Sequence, residues 1–143
     1  MILVDINVLL YAVDAGSSHH AIVKPWLTKL FNQPDGVALC WPVISGFIRI
    51  GTNAKVLQSP MTIEEACDKI HEWLALPGTR LINSSSHHWR LFSGLLKQTR
   101  ATGNLVSDSH LAALAIEHGL ELASCDTDFA KFPGLRWINP LKP

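Results

Sequence analysis

The sequence predicts a three-layer α/β domain, with a central, mostly parallel sheet flanked by helices. Short apolar runs such as ILV at 2–4 and LELASC at 120–125 alternate with longer segments of helical periodicity. Strands separated in this way close into a parallel sheet covered on both faces. The 143 residues, 48% of them hydrophobic, suffice for a sizeable core, and no internal repeat, low-complexity stretch or linker divides them. Residues 1–143 are therefore expected to form a single domain.

Taken in order, Ile2 to Val4 reads as a buried strand ending at Asp5, and Asn7 to Ala15 as a helix. A second helix is expected from Ser18 to Phe31, locally kinked at Pro25. NQPDG is a turn, VALC a short strand, and a helix starts after Pro42 through VISGFIRIGTN. Thr62 followed three residues later by Glu65 has the spacing of a capping box, and Ile63, Ala66, Ile70, Trp73 and Leu74 then recur at helical intervals until the stop at PG. TRLIN is a strand candidate, and the segment from SSHHW to TRATG is a helix with Leu91, Leu95 and Leu96 on one side. LVSDSHLAALAIEHG is the strongest helix, with Gly119 at its C′ position. LELASC and LRWIN supply the last strands.

A formal net charge of zero argues against a chain-wide basic footprint for nucleic acid, although charge can still be sorted onto separate faces. No apolar run reaches the roughly 20 residues that span a bilayer, and MILVD lacks the basic head of a signal peptide. Cys40, Cys67 and Cys125 are odd in number and widely spaced, as expected of reduced thiols in a cytoplasmic protein.

The chemistry lies in the aspartates. An ionised carboxylate such as Asp5, set within ILVDINVLLY, costs several kcal/mol to bury unless a partner compensates it. In open α/β sheets ligands bind beyond the carboxyl ends of the strands. Asp5 ends the first strand, Asp126 follows LELASC with Asp128 two residues on, and Asp108 is placed in the first turn of the Ala-rich helix. Gathered at one edge, these groups would repel one another, and a divalent cation such as Mg²⁺ or Mn²⁺ reverses that logic. Each also has a purely structural use. Asp5 and Asn7 suit helix capping, Asp108 complements a helix dipole, and Asp126 caps a turn.

Other chemistries find less support. The pairs His19–His20 and His87–His88 put adjacent rings on different sides of a helix, a poor arrangement for one metal and a common one for solvated or partly packed imidazoles. Neither a C-x-x-C nor an H-E-x-x-H spacing is present, nor a nucleophile elbow, a Walker loop or a dinucleotide fingerprint. Ser107, Asp108 and His110 are too close in sequence to form a catalytic triad. The five tryptophans are scattered, most of them suited to core or interface positions and, as a lesser use, to stacking on bases.

MILVDINVLLYAVD, FIRIGTN and the stretch from GNLVSDSHLAALAIEHG through CDTDFAKFPGLRWINP together resemble the PIN-domain ribonucleases, specifically the VapC-type toxins of bacterial toxin–antitoxin pairs. The resemblance runs through essentially the whole chain. It implies a PIN-like fold and a Mg²⁺- or Mn²⁺-dependent endoribonuclease, neutralised by a VapB-type antitoxin and often dimeric. It places acidic ligands at Asp5, Asp108, Asp126 and, less directly, Asp128, with Asn7 supporting. The products implied are 5′-phosphate and 3′-hydroxyl ends.

One departure stands out. Where many PIN domains have E-F-x-R, this chain has Gly46 before Phe47 and Arg49. A glycine brings no ligand, so the site either works with the aspartates alone or is weakened. Arg49 remains to approach RNA phosphate, and Lys55, Arg90, Lys97 and Arg100 are further rim candidates. The alternative is a catalytically weakened PIN fold that binds RNA or protein. A receiver-type signalling domain is disfavoured, since Asp5 has no adjacent acid and no phosphoacceptor Asp lies in mid-chain.

Overall fold

The computed structural model describes residues 1–142. Five strands form one all-parallel sheet: β1 (Ile2–Val4), β2 (Val37–Leu39), β3 (Thr79–Leu81), β4 (Glu121–Ala123) and β5 (Trp137–Ile138). The helices are α1 (Ile6–Val13), α2 (His20–Phe31), α3 (Trp41–Gly51), α4 (Ile63–Leu74), α5 (His88–Thr99) and α6 (Asn104–Glu117), and a 3₁₀ turn spans Thr127–Lys131. The three-layer α/β architecture is the one expected.

The strand order is β3-β2-β1-β4-β5. β1 is central, with Leu3 opposite Ala38 on one side and Leu122 on the other. Covered on both faces, the inner strands have no polar alternation, and Leu3, Val4, Val37, Ala38, Leu39, Leu122 and Ala123 are fully buried. From β1 the chain steps outward through β2 and β3, then returns to lay β4 on the opposite side of β1. That reversal opens a crevice beyond the carboxyl ends of β1 and β4, where such sheets bind ligands.

Helix boundaries follow local chemistry. Thr62 and Glu65 form the reciprocal capping box read from their spacing. α3 starts at Trp41 rather than after Pro42, because proline fits the first helical turn, where its missing N–H has no partner to lose. α5 ends at Arg100, whose φ of 51° is the left-handed position usually given to glycine. α6 starts at Asn104, with the Val106 N–H donating to the Gly103 carbonyl, so Asp108 falls in the second turn and not the first. It is therefore too far along to serve as a first-turn dipole partner.

α1 packs on α2 and α3, α3 on α4, and α5 pairs with α6. Trp73 joins three of these helices, with its ring 5.6 Å from Phe31 and 5.2 Å from Phe47. Among the described residues, no helix is long and apolar enough to cross a membrane. The Thr62 cap yields a direct check: Thr62→Ala removes the acceptor for the Glu65 N–H and should cost about 1 kcal/mol in urea unfolding.

Candidate active site

The crevice between β1 and β4 is organised by a hydrogen-bonded knot. Asp5 caps α1 by accepting from the Ile6 N–H at 2.7 Å through Oδ1. Its Oδ2 accepts from the Ser124 hydroxyl at 2.7 Å and from the Asn7 amide at 3.3 Å. Asn7 also donates to Ser124 Oγ at 3.1 Å and accepts from the Cys125 N–H at 3.1 Å. Ser124 Oγ in turn accepts from the Asp126 N–H, and Asp126 Oδ1 accepts from the Asp128 N–H at 2.9 Å. Asp5 is tolerated at the end of a buried strand because three donors meet its carboxylate. Asp5, Asn7 and Asp126 all take up the capping or bonding roles that their residue types suit.

Asp108 enters from α6. One carboxylate oxygen from each of Asp108, Asp126 and Asp128 lies within 4.8 Å of the others. Asp5 stands outside that tight set but lines the same cleft as Asp108, a hollow of about 440 Å³ that also touches Ile6, Arg49, Phe92, Val106 and His110. Burial, followed by the charges of Asp5, Asp126 and Asp128, pushes the Asp108 carboxyl up to about 7. Burial also raises Asp5, against the pull of its bonds from Ser124 and Ile6, with Asp126 adding to the rise. Lys131 Nζ stands 3.0 Å from Asp128 Oδ1. Carboxylates crowded until one holds its proton near neutrality form an oxygen-only donor set that suits a hard divalent cation.

Arg49 is exposed on α3, lines the cleft, and pairs with no carboxylate among the described residues. Arg90 instead borders a separate hollow of about 200 Å³ with Gln98 and Pro133. The place of Gly46 is filled from α1: a Cβ built there would come 2.2 Å from Ile6 Cδ1 and 3.0 Å from Cγ1. The missing carboxylate and the bulky Ile6 are thus two halves of one packing solution.

Two features escape sequence reasoning. Ser124 is fully buried and joins Asp5, Asn7 and Asp126, yet a lone serine after a strand gives no signal. The other is a chain of imidazoles. Glu117 accepts from Ser85 and faces His88 Nδ1 at 2.8 Å, while His88 Nε2 lies 2.6 Å from His110 Nδ1. Burial raises Glu117, but the bonds from Ser85 and His88 outweigh it and hold the carboxyl below its usual range. Burial, and then His88, lowers His110. Of the two paired histidines at the start of α5, His88 alone is buried.

A parallel sheet with carboxylates gathered at its reversal point and an unpaired arginine beside them defines an acid-pocket α/β domain. The PIN domain model matches residues 2–135, and the chain belongs to that family. It is 38% identical to the ribonuclease VapC37 of Mycobacterium tuberculosis over 140 residues, covering 98% of this chain and 97% of that one. With the ribonuclease VapC33 of the same organism it shares 38% over 142 residues, or 99% of each. Among solved structures, VapBC2 from Rickettsia felis bound to a promoter DNA fragment superposes with a TM-score of 0.68 at 21% identity, over 97% of this chain and 98% of that one. FitAcB from Neisseria gonorrhoeae gives 0.72 at 20% identity over the full length of both.

Two measurements probe this geometry. A carboxyl whose pKa rises on folding contributes stability while protonated and loses it as pH climbs from about 4 to about 7. Metal-free Asp108→Asn and the parent should therefore melt alike near pH 4, and the variant should pull ahead as pH climbs from about 4 to about 7, the gap levelling off above that. A gap that ignores pH would contradict the crowding. Gly46→Glu alone should lower the melting temperature, because Ile6 must move, and adding Ile6→Ala should recover most of the loss.

Proposed function

We propose that this chain is a metal-dependent endoribonuclease toxin of the VapC type, acting in the cytoplasm on RNA phosphodiester bonds and neutralised by a VapB-type antitoxin. The observation that carries this reading is the carboxylate cluster at the sheet reversal, with Asp108 pushed up to about 7 by burial and then by its neighbours' charges. Full-length similarity to curated VapC ribonucleases supports it.

Asp108, Asp126 and Asp128, with Asp5 at the edge of the set, would hold Mg²⁺, or Mn²⁺ in its place. A bound divalent cation supplies charge neutralisation at the scissile phosphate and acidifies water for in-line attack. The chain does the rest. Ser124 and Asn7 fix the Asp5 carboxylate, so its direction costs no reorganisation when substrate arrives. Arg49 offers the guanidinium that draws a phosphate towards an otherwise repulsive cleft. The apolar wall of Val43, Phe92, Val106 and Leu111 limits water on that side. Pairing into a homodimer would lengthen the RNA-binding groove.

The Ile6–Gly46 packing favours a second reading, a weakened nuclease that serves as an RNA- or protein-binding module. One experiment separates the two. Total cellular RNA incubated with protein and Mg²⁺ or Mn²⁺ should yield discrete fragments, absent with EDTA and reduced at least a hundredfold in Asp5→Ala and Asp108→Ala. Intact RNA throughout, with a retained gel shift, would favour the binding module.

A further inference from the structure

The acidic cleft continues outward along α5 as a row of rings. Phe92 lines the cleft together with Asp5, Asp108 and Arg49. Trp89 stands one turn earlier on α5, with its ring centre 5.8 Å from that of Phe92. The Phe92 ring lies in turn 5.4 Å from His110, so the row runs from the helix that bears Asp108 out to the cleft mouth. Trp89 is 67% exposed, more than any other large apolar side chain among the described residues. Its plane stands at 86° to that of Phe92. Rings in an edge-to-face pair share at most one face, so at least one face of the indole is left uncovered by Phe92. Trp41, also exposed, joins no such row.

Charge decides what suits that face. No Asp or Glu occurs between Glu72 and Asp108, and within this stretch α5 carries Arg90 and Lys97 and is capped by Arg100. None of these three cations forms an ion pair among the described residues. In a chain of zero net charge, the helix packed against α6 is thus a local basic wall beside the acidic pocket. An open indole flanked by unpaired cations suits a polyanion that itself carries flat π faces, and a nucleic acid strand is that polymer. Within a duplex each base is already stacked on both sides, so the indole can take only an unpaired one.

We infer that Trp89 is a stacking platform for an unpaired RNA base that flanks the phosphate held at the carboxylates. This rests on the nuclease reading above. The platform selects a nucleotide for being single-stranded and tolerates its identity, because every base has a π face. It lies outside the carboxylate set, so it acts on binding and not on the chemical step.

The test uses a synthetic RNA spanning a cut mapped in cellular RNA, beside copies in which one flanking nucleotide at a time keeps its ribose but lacks its base. For the parent, one such position should lower kcat/KM about tenfold, through KM and with kcat kept. Trp89→Ala should lose about as much on intact RNA and become indifferent to that missing base. Trp89→Phe, which keeps a ring, should retain most of the preference, whereas Trp89→Leu should behave like the alanine variant. All three should melt close to the parent, because the side chain is exposed. An equal penalty for the missing base in the parent and in Trp89→Ala would overturn the inference, as would a parent that cuts every copy alike. A base penalty that persists while Trp89→Ala changes the molecular mass in solution would assign the ring to a second copy of the chain instead. If the parent cuts nothing, the nuclease reading fails. Fluorescence anisotropy with a labelled RNA and its fully abasic copy then decides: equal binding of the two by the parent, or an undiminished preference in Trp89→Ala, overturns the inference.

Discussion

The rest of the site depends on the bond between the Ser124 hydroxyl and the Asp5 carboxylate. These residues stand at the ends of adjacent parallel strands, and 119 positions of sequence separate them. Sheet pairing alone brings β1 and β4 together, but it does not aim a carboxylate. The serine does so by donating to Asp5 while accepting from Asn7 and from the Asp126 N–H. Asp5 and Asp126 are thereby fixed by neighbours that are themselves fixed. A buried network of this kind is rigid when every member is satisfied, and it fails as a unit when one is removed.

Electrostatic tension is the counterpart of that rigidity. Backbone and side-chain donors compensate Asp5, and Lys131 stands beside Asp128, but Asp108 receives no such help, and burial together with its neighbours' charges raises its pKa. The site is thus stable as a fold and unsatisfied as a charge distribution, as is common where binding or catalysis takes place. The apolar half of the cleft keeps this imbalance from being dissipated by water. Ile6 contributes to it by occupying the space that Gly46 vacates.

Much of this was legible in the sequence. Short apolar runs between helical segments specify a parallel sheet, because only strands buried on both faces lack alternation. Asp5 and Asp126 could be placed at one edge because parallel strands share a direction. The Thr62–Glu65 spacing is local chemistry, and its capping box is present. What escaped depends on long-range geometry. Ser124 matters through partners in the first strand and helix, and His88 through α6, so neither has a local signature. Gly46 read alone looks like a loss, and only its contact with Ile6 shows the exchange. α6 starts at Asn104, one residue ahead of its apolar pattern, enough to move Asp108 from the first turn to the second.

The distance along the chain between Asp5 and Ser124 also governs when the pocket can exist. A ribosome releases the chain from its amino terminus, so β1, α1 and even Asp108 emerge before β4 and the knot that aims the acids. Until Ser124, Asp126 and Asp128 have left the exit tunnel there is no third or fourth carboxylate to crowd the cleft. An unfinished chain therefore lacks the completed acidic site.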